Sequence, residues 1–166
     1  MPFKFEVLPS SQLCILCCSG RMSSEDFDAI WRVTENDSNF TTELDMLTVL
    51  GPDADYSEVV SQMSEQHARK YVERHSVNEQ RKLKRSAHIC ANERQVAMVK
   101  MFAAYIEAWG GPPKVELKCF SELEPALAWM EQSEGRERRI DRDRVVQILR
   151  KMGHGWCCKS GREIAS

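Results

Sequence analysis

Apolar positions recur every second residue in some stretches of the chain and every third or fourth in others, and the changes of period predict its elements. Phe3, Phe5 and Val7 alternate with Lys4 and Glu6, the pattern of a half-buried strand. Pro9-Ser10-Ser11 makes a turn, and Gln12 to Cys18 reads as a second, more buried strand, so the two predict a hairpin. Ser23-Ser24-Glu25-Asp26 predicts a capping box, in which the hydroxyl takes a backbone N–H of the first turn and the carboxylate reaches back to the cap. Phe27, Ile30, Trp31 and Thr34 then share one helical face. Leu44 to Leu50 is a third strand, closed by Gly51-Pro52.

Asp55 with Glu58 opens a further helix, whose single stripe of Tyr56, Val59, Val60, Met63, His67 and Tyr71 predicts one continuous element. Asn78 to Arg85, rich in Lys and Arg, is expected to be a solvated helix end or loop. Ser86-Ala87-His88-Ile89-Cys90-Ala91 reads as the fourth strand. From Gln95 to Trp109 a wide apolar face returns, carried by Val96, Met98, Val99, Met101, Phe102, Ala103, Tyr105 and Ile106, until Gly110-Gly111-Pro112-Pro113 stops it. The fifth strand, Lys114 to Phe120, puts Val115, Leu117 and Cys119 on one side and Lys114, Glu116 and Lys118 on the other, which suits an edge strand with one wet face. Ser121-Glu122-Leu123-Glu124 starts a last helix through Ala126 to Met130. The run Gln132 to Arg144 is polar and predicts a linker, and Val145, Ile148, Leu149 and Met152 then mark a short amphipathic helix ended by Gly153-His154-Gly155.

Strands alternating with helices predict an α/β fold: a five-stranded mixed sheet that begins with an antiparallel hairpin and continues as parallel strands joined by right-handed crossover helices. The organisation expected is an α/β domain over residues 1–131, carrying four helices, and an extension over 132–166. A chain of 166 residues with 42% hydrophobic and 29% charged residues is ordinary for one such domain. Net charge is −2, so the whole molecule offers no electrostatic argument for nucleic acid or membrane. The halves differ, however. Residues 134–166 carry nine Lys/Arg against five Asp/Glu, leaving 14 against 20 in the rest. The longest uncharged apolar stretch, Leu13 to Cys18, is far short of the roughly 20 residues a membrane-spanning helix needs. Seven cysteines, an odd number set mostly in apolar runs, predict reduced thiols in a cytoplasmic protein.

In its order of strands and helices, the chain resembles the SpoIIAA-like branch of the STAS superfamily, which has kinship with CRAL-TRIO lipid-binding domains. The resemblance covers about residues 3–131 and rests on Phe40 to Gly51, Arg85 to Ala91, Met101-Phe102, Val115 to Phe120 and Ala126 to Met130. It implies a bacterial, non-catalytic, regulatory module that binds a partner protein or a hydrophobic small molecule. Related anti-sigma antagonists are switched by phosphorylation of a Ser in an Asp-Ser-(Ser/Thr)-Gly stretch before the second helix. This chain has Gly51-Pro52-Asp53-Ala54-Asp55-Tyr56-Ser57 there, so the motif is absent and Ser57 is the nearest phosphorylation candidate.

No catalytic constellation and no cofactor motif is found in the sequence. The ligand-binding candidates are Met98, Met101, Phe102, Tyr105 and Trp109, because thioethers and aromatics line adaptable apolar pockets well. His88 reads as a neutral core histidine with a hydrogen-bond partner. Cys14 and Cys17, with His154, Cys157 and Cys158, have the composition of a zinc quartet, but residues three apart on a strand point to opposite faces, so no metal site is expected. Cys157 and Cys158 are expected to be the exposed thiols, and a redox or metal role for the cysteines is the alternative function. Nucleic-acid binding through the basic tail is a further alternative, weakened by Glu137, Asp141 and Asp143 among the arginines. The wide apolar face from Gln95 to Trp109 could also pack against a second subunit, so a homodimer is a further expectation.

Overall fold

A computed structural model describes residues 2–41, 43–74, 84–110, 115–132 and 138–158 of the chain. The period-two stretches form β1 (Phe3–Leu8), β2 (Leu13–Cys18), β3 (Asp45–Leu50), β4 (Lys84–Ile89) and β5 (Val115–Phe120). They make one sheet in the order β1-β2-β3-β4-β5, with β1 antiparallel to β2 and all other neighbours parallel. The hairpin turn is a 3-10 turn at Pro9–Ser11, completed by Gln12 in the left-handed region at φ 49°. The fold is therefore α/β with the five-stranded mixed sheet that the alternation predicts.

Each parallel strand is laid beside the one before it, always stepping in the same direction. Right-handed crossovers then place the intervening helices on one face. These helices are α1 (Ser24–Glu35), α2 (Ser57–Ser61), α3 (Glu65–Arg74) and α4 (Glu93–Gly110), and they enclose a core with Cys14, Leu16, Cys18, Met46 and Leu50 of the sheet. α5 (Leu123–Glu131) and α6 (Arg142–Lys151) cover the opposite face, against Leu13, Ile15, Cys17, Leu47, Val49, Ala87 and Ile89. The alternation of side chains along each strand is what separates the two cores.

Local chemistry explains where the helices begin. At α1 the capping box is complete: Asp26 N–H donates to Ser23 Oγ at 3.1 Å and Ser23 N–H donates to Asp26 Oδ2 at 2.9 Å. At α6, Asp141 Oδ1 accepts from Arg144 N–H at 3.1 Å. The stripe from Tyr56 to Tyr71 is not one helix, as its periodicity predicts, but two. Ser61 bonds back to the Glu58 carbonyl at 2.9 Å, and Ser64 Oγ accepts from His67 N–H at 3.3 Å, restarting the helix as α3. Two serines that compete for backbone groups thus interrupt a periodicity that continues across them.

Two further expectations are corrected. Lys84 and Arg85 belong to β4 rather than to a solvated loop. Lys84 is buried, and Arg85 lies over the Trp129 ring at 4.8 Å and donates to the Trp129 carbonyl. From Arg138 to Arg144 the expected linker is structured. Arg138 pairs with the fully buried Asp45 and donates to the Ser11 and Gln12 carbonyls at 3.2 Å each, while Ile140 sits in the second core. No helix among the described residues is long and apolar enough to cross a membrane.

Candidate functional site

The first face of the sheet is not purely apolar. β3 and β4 place Thr48 beside His88 in register, and Met46 beside Ser86 one step back along the strands. Thr48, Ser86 and His88 are all buried, and they form the polar floor of a chamber of about 40 Å³. Leu16 and Cys18 continue the floor on β2, and Met22, Ile30 and Tyr56 close its sides. A water needs on the order of 10–15 Å³ measured this way, so the chamber has room for a few small polar or apolar groups. None of its lining residues carries a formal charge.

The chamber's roof is aromatic. Phe27, Trp31, Tyr71 and Phe102 form a closed cycle of edge-to-face contacts, with ring centroids 6.3 Å apart for Phe27–Trp31, 5.7 Å for Trp31–Tyr71, 5.2 Å for Tyr71–Phe102 and 5.5 Å for Phe102–Phe27. Such contacts hold aromatic rings at a preferred angle while leaving each free to pivot in its rotamer well. The same four side chains form the base of an outer cavity of about 30 Å³, whose remaining lining includes Val59 and Met63 with the polar Ser24, Asp28, His67 and Lys70. An outer vestibule and an inner chamber therefore share one aromatic wall.

Burial sets the protonation of this site. His88 is driven down to about 4 by loss of solvent, only partly opposed by the Ser86 backbone, so the ring is neutral at pH 7. Its Nδ1 is buried without a hydrogen-bond partner, whereas the sequence reading expects a satisfied core histidine. An unmet ring nitrogen of this kind costs free energy in the protein alone and is recovered by whatever bonds to it. Burial also pushes Cys18 up to about 12 and raises Tyr71 and Tyr56, and the Tyr56 hydroxyl pairs with the Cys18 thiol. The inner chamber thus presents neutral hydrogen-bonding groups on an apolar background.

The five ligand candidates on α4 do not act as one face. Phe102 is buried in the aromatic wall and Met98 is buried in the first core. Met101, at 53% exposure, points to solvent, and Tyr105 stacks on the exposed Trp109 with centroids 5.1 Å apart. Ser57 begins α2 on the surface, and its N–H donates to Asp55 Oδ1 at 2.8 Å. That bond, joined by Arg94 and Arg21, lowers the Asp55 carboxyl below the usual range.

The cysteines divide as strand geometry requires, Cys14 and Cys18 in the first core and Cys17 in the second. No group of three or more metal-ligating side chains converges among the described residues. Cys157, expected at the surface, is buried, its Sγ against the His154 carbonyl at 3.3 Å, and burial raises its thiol. Cys158 is half-buried and also raised. The floor residues Thr48 and Ser86, by contrast, give no signal in the sequence: a serine or threonine in a buried strand reads as filler until its neighbour across the sheet is known.

No family model, curated protein or solved structure matches this chain.

Proposed function

We propose that the chain is a non-catalytic, cytoplasmic module of SpoIIAA-like type that binds a hydrophobic small molecule in the chamber beneath Phe27, Trp31, Tyr71 and Phe102. The observation that carries this reading is His88 Nδ1, buried without a partner on the floor of that chamber. The ligand that fits is uncharged, with an apolar body and one hydrogen-bonding group directed at His88, Thr48 and Ser86. No charged side chain lines the inner chamber to neutralise an ion, and burying an unpaired charge is costly. Since the chamber is far smaller than the roughly 300–1,000 Å³ of drug-sized pockets, a larger ligand enters by parting the aromatic wall and joining chamber to vestibule.

Native mass spectrometry of the freshly purified full chain, set against its denatured mass, tests this. The expected result is a non-covalent excess that leaves on denaturation, or an adduct formed with the neutral hydrophobe Nile red. Both are lost in Ser86→Leu, which fills the chamber from its floor. A bare wild-type mass that takes up no such probe defeats the proposal. A second reading, binding of a partner protein, is favoured by the exposed Met101 and Trp109 on α4. Met101→Lys with Trp109→Lys separates the two, because it removes that surface without touching the chamber.

A further inference from the structure

A wider opening lies elsewhere on the first face, a groove of about 560 Å³ between α4 and the edge strand β5. Cys119 of β5 and Cys90, one residue past the end of β4, both line it. Their backbones are already tied: Cys119 is the register partner of His88, and Cys90 N–H donates to the Phe120 carbonyl at 2.8 Å. The two side chains therefore leave adjacent strands on the same face and enter the same groove, close enough for each thiol to shift the other's ionisation. We infer that Cys90 and Cys119 form a peroxide-responsive dithiol site, with Cys119 the attacking sulfur and Cys90 the resolving one.

Three features of the groove suit this division of labour. Cys119 is half-buried and faces the opening, whereas Cys90 is only 4% exposed. The groove is lined by the first turn of the 18-residue helix α4, whose dipole favours a nearby anion, and by Lys100. Glu93 is the carboxylate among the described lining residues and opposes them. The neighbouring Cys90 thiol, with Lys100 and against burial, holds Cys119 down to about 7, while the same contact and burial push Cys90 up. The other five thiols lack this arrangement: Cys14, Cys17, Cys18, Cys157 and Cys158 are all raised, with burial the main cause.

The chemistry balances with hydrogen peroxide as the oxidant. The Cys119 thiolate attacks one peroxide oxygen; the S–O bond forms, the O–O bond breaks and hydroxide leaves, so sulfur is oxidised by two electrons and peroxide is reduced. The Cys90 sulfur then attacks the Cys119 sulfur. The S–S bond forms, the S–O bond breaks, and the departing hydroxide takes the Cys90 proton as water. A thiol reductant returns both residues to the dithiol. Cys90 is one residue past the end of β4, and its N–H bond to the Phe120 carbonyl holds it beside Cys119 on the neighbouring strand, where a disulfide can span the two residues.

Limited alkylation of the native full chain with iodoacetamide at pH 7, followed by peptide mass mapping, tests the first half. Cys119 is expected to react about tenfold faster than Cys158, the other half-buried thiol. Treatment with one equivalent of hydrogen peroxide tests the second half. The wild type is expected to lose two hydrogens as a Cys90–Cys119 bridge that dithiothreitol reverses, and Cys90→Ser is expected to stop at a sulfenic acid on Cys119 that dimedone traps. Faster labelling of any other cysteine overturns the inference. So does a wild-type protein whose Cys119 is oxidised without ever bridging to Cys90.

Discussion

The two faces of the sheet are made of different material. Toward α5 and α6 the sheet offers Leu13, Ile15, Leu47, Val49, Ala87 and Ile89, and the helices answer with Leu127, Met130, Val145, Ile148 and Leu149, all of them at 0–2% exposure. Toward α1 to α4 the sheet offers Thr48, Ser86 and His88 among its apolar residues, and the chamber, the vestibule and the thiol groove all open on that side. One face is closed to solvent along its whole length, although Trp156 Nε1 packed against it is buried without a partner. The other keeps cavities and a buried polar strip in which His88 Nδ1 lacks a partner, and both cost stability. The division also places the C-terminal segment: α6 belongs to the stabilising face, and its Arg142 and Arg144 are engaged with Glu124, Glu131 and Glu6 rather than displayed for a polyanion.

The largest effect is expected where the stabilising face is clamped to the start of the sheet. Asp45 is fully buried, and Arg138 is its ion-pair partner. Arg138→Met removes one cationic partner of that buried carboxylate, which keeps its bond from the Arg85 N–H at 2.9 Å, and is expected to cost about 3 kcal/mol in urea unfolding, more than any exposed arginine of the tail. A loss below about 1 kcal/mol would mean that the C-terminal segment is not held as described. Next comes Leu149→Ala in α6, expected to cost about 2–5 kcal/mol through lost burial and the cavity left behind. If Leu149→Ala proves nearly neutral, the second face is not close-packed and the contrast between the faces fails.

The succession of strands along the chain, the hairpin, the edge position of β5 and the cap at Ser23 were all legible in the sequence, because each rests on a local signal: a period, a turn residue, a hydroxyl three residues before a carboxylate. What was not legible depends on neighbours distant in the chain. The stripe Tyr56 to Tyr71 hid a break, because a serine's bond to a nearby carbonyl does not disturb the apolar period. Arg138 and Arg142 looked like solvated charge because Asp45 and Glu124, their partners, lie 93 and 18 residues away. Of the α4 candidates, Phe102 reached the chamber and Met101 did not, a distinction set by the angle at which α4 crosses its neighbours. Cys90 and Cys119 met only once β4 and β5 were paired.

The smallest expected change in stability is the most telling about the first face. His88 is held down to about 4 in the folded chain, against an ordinary value of 6.5. The unfolded chain therefore binds the extra proton first, and stability falls as pH drops from 6.5 toward 4, by about 3 kcal/mol in all, then levels once the folded ring also protonates. His154, lowered mainly by burial, works in the same direction, and the lowered carboxyls Asp26, Asp55 and Glu131 add their own loss mostly below pH 4.5. His88→Leu removes the His88 part of the slope between pH 6.5 and 4.5. At pH 7 it is expected to change stability by less than about 1 kcal/mol, because the histidine there is neutral and its Nδ1 is unpaired, so the contact with the Ser86 backbone is the hydrogen bond lost. On the second face, a substitution at an equally buried position costs several times more. A His88→Leu protein that unfolds readily at pH 7 would show that the histidine is structural, and would remove the hydrogen-bonding floor from the binding site. A stable His88→Leu protein that no longer takes up a neutral hydrophobe places that nitrogen in the site.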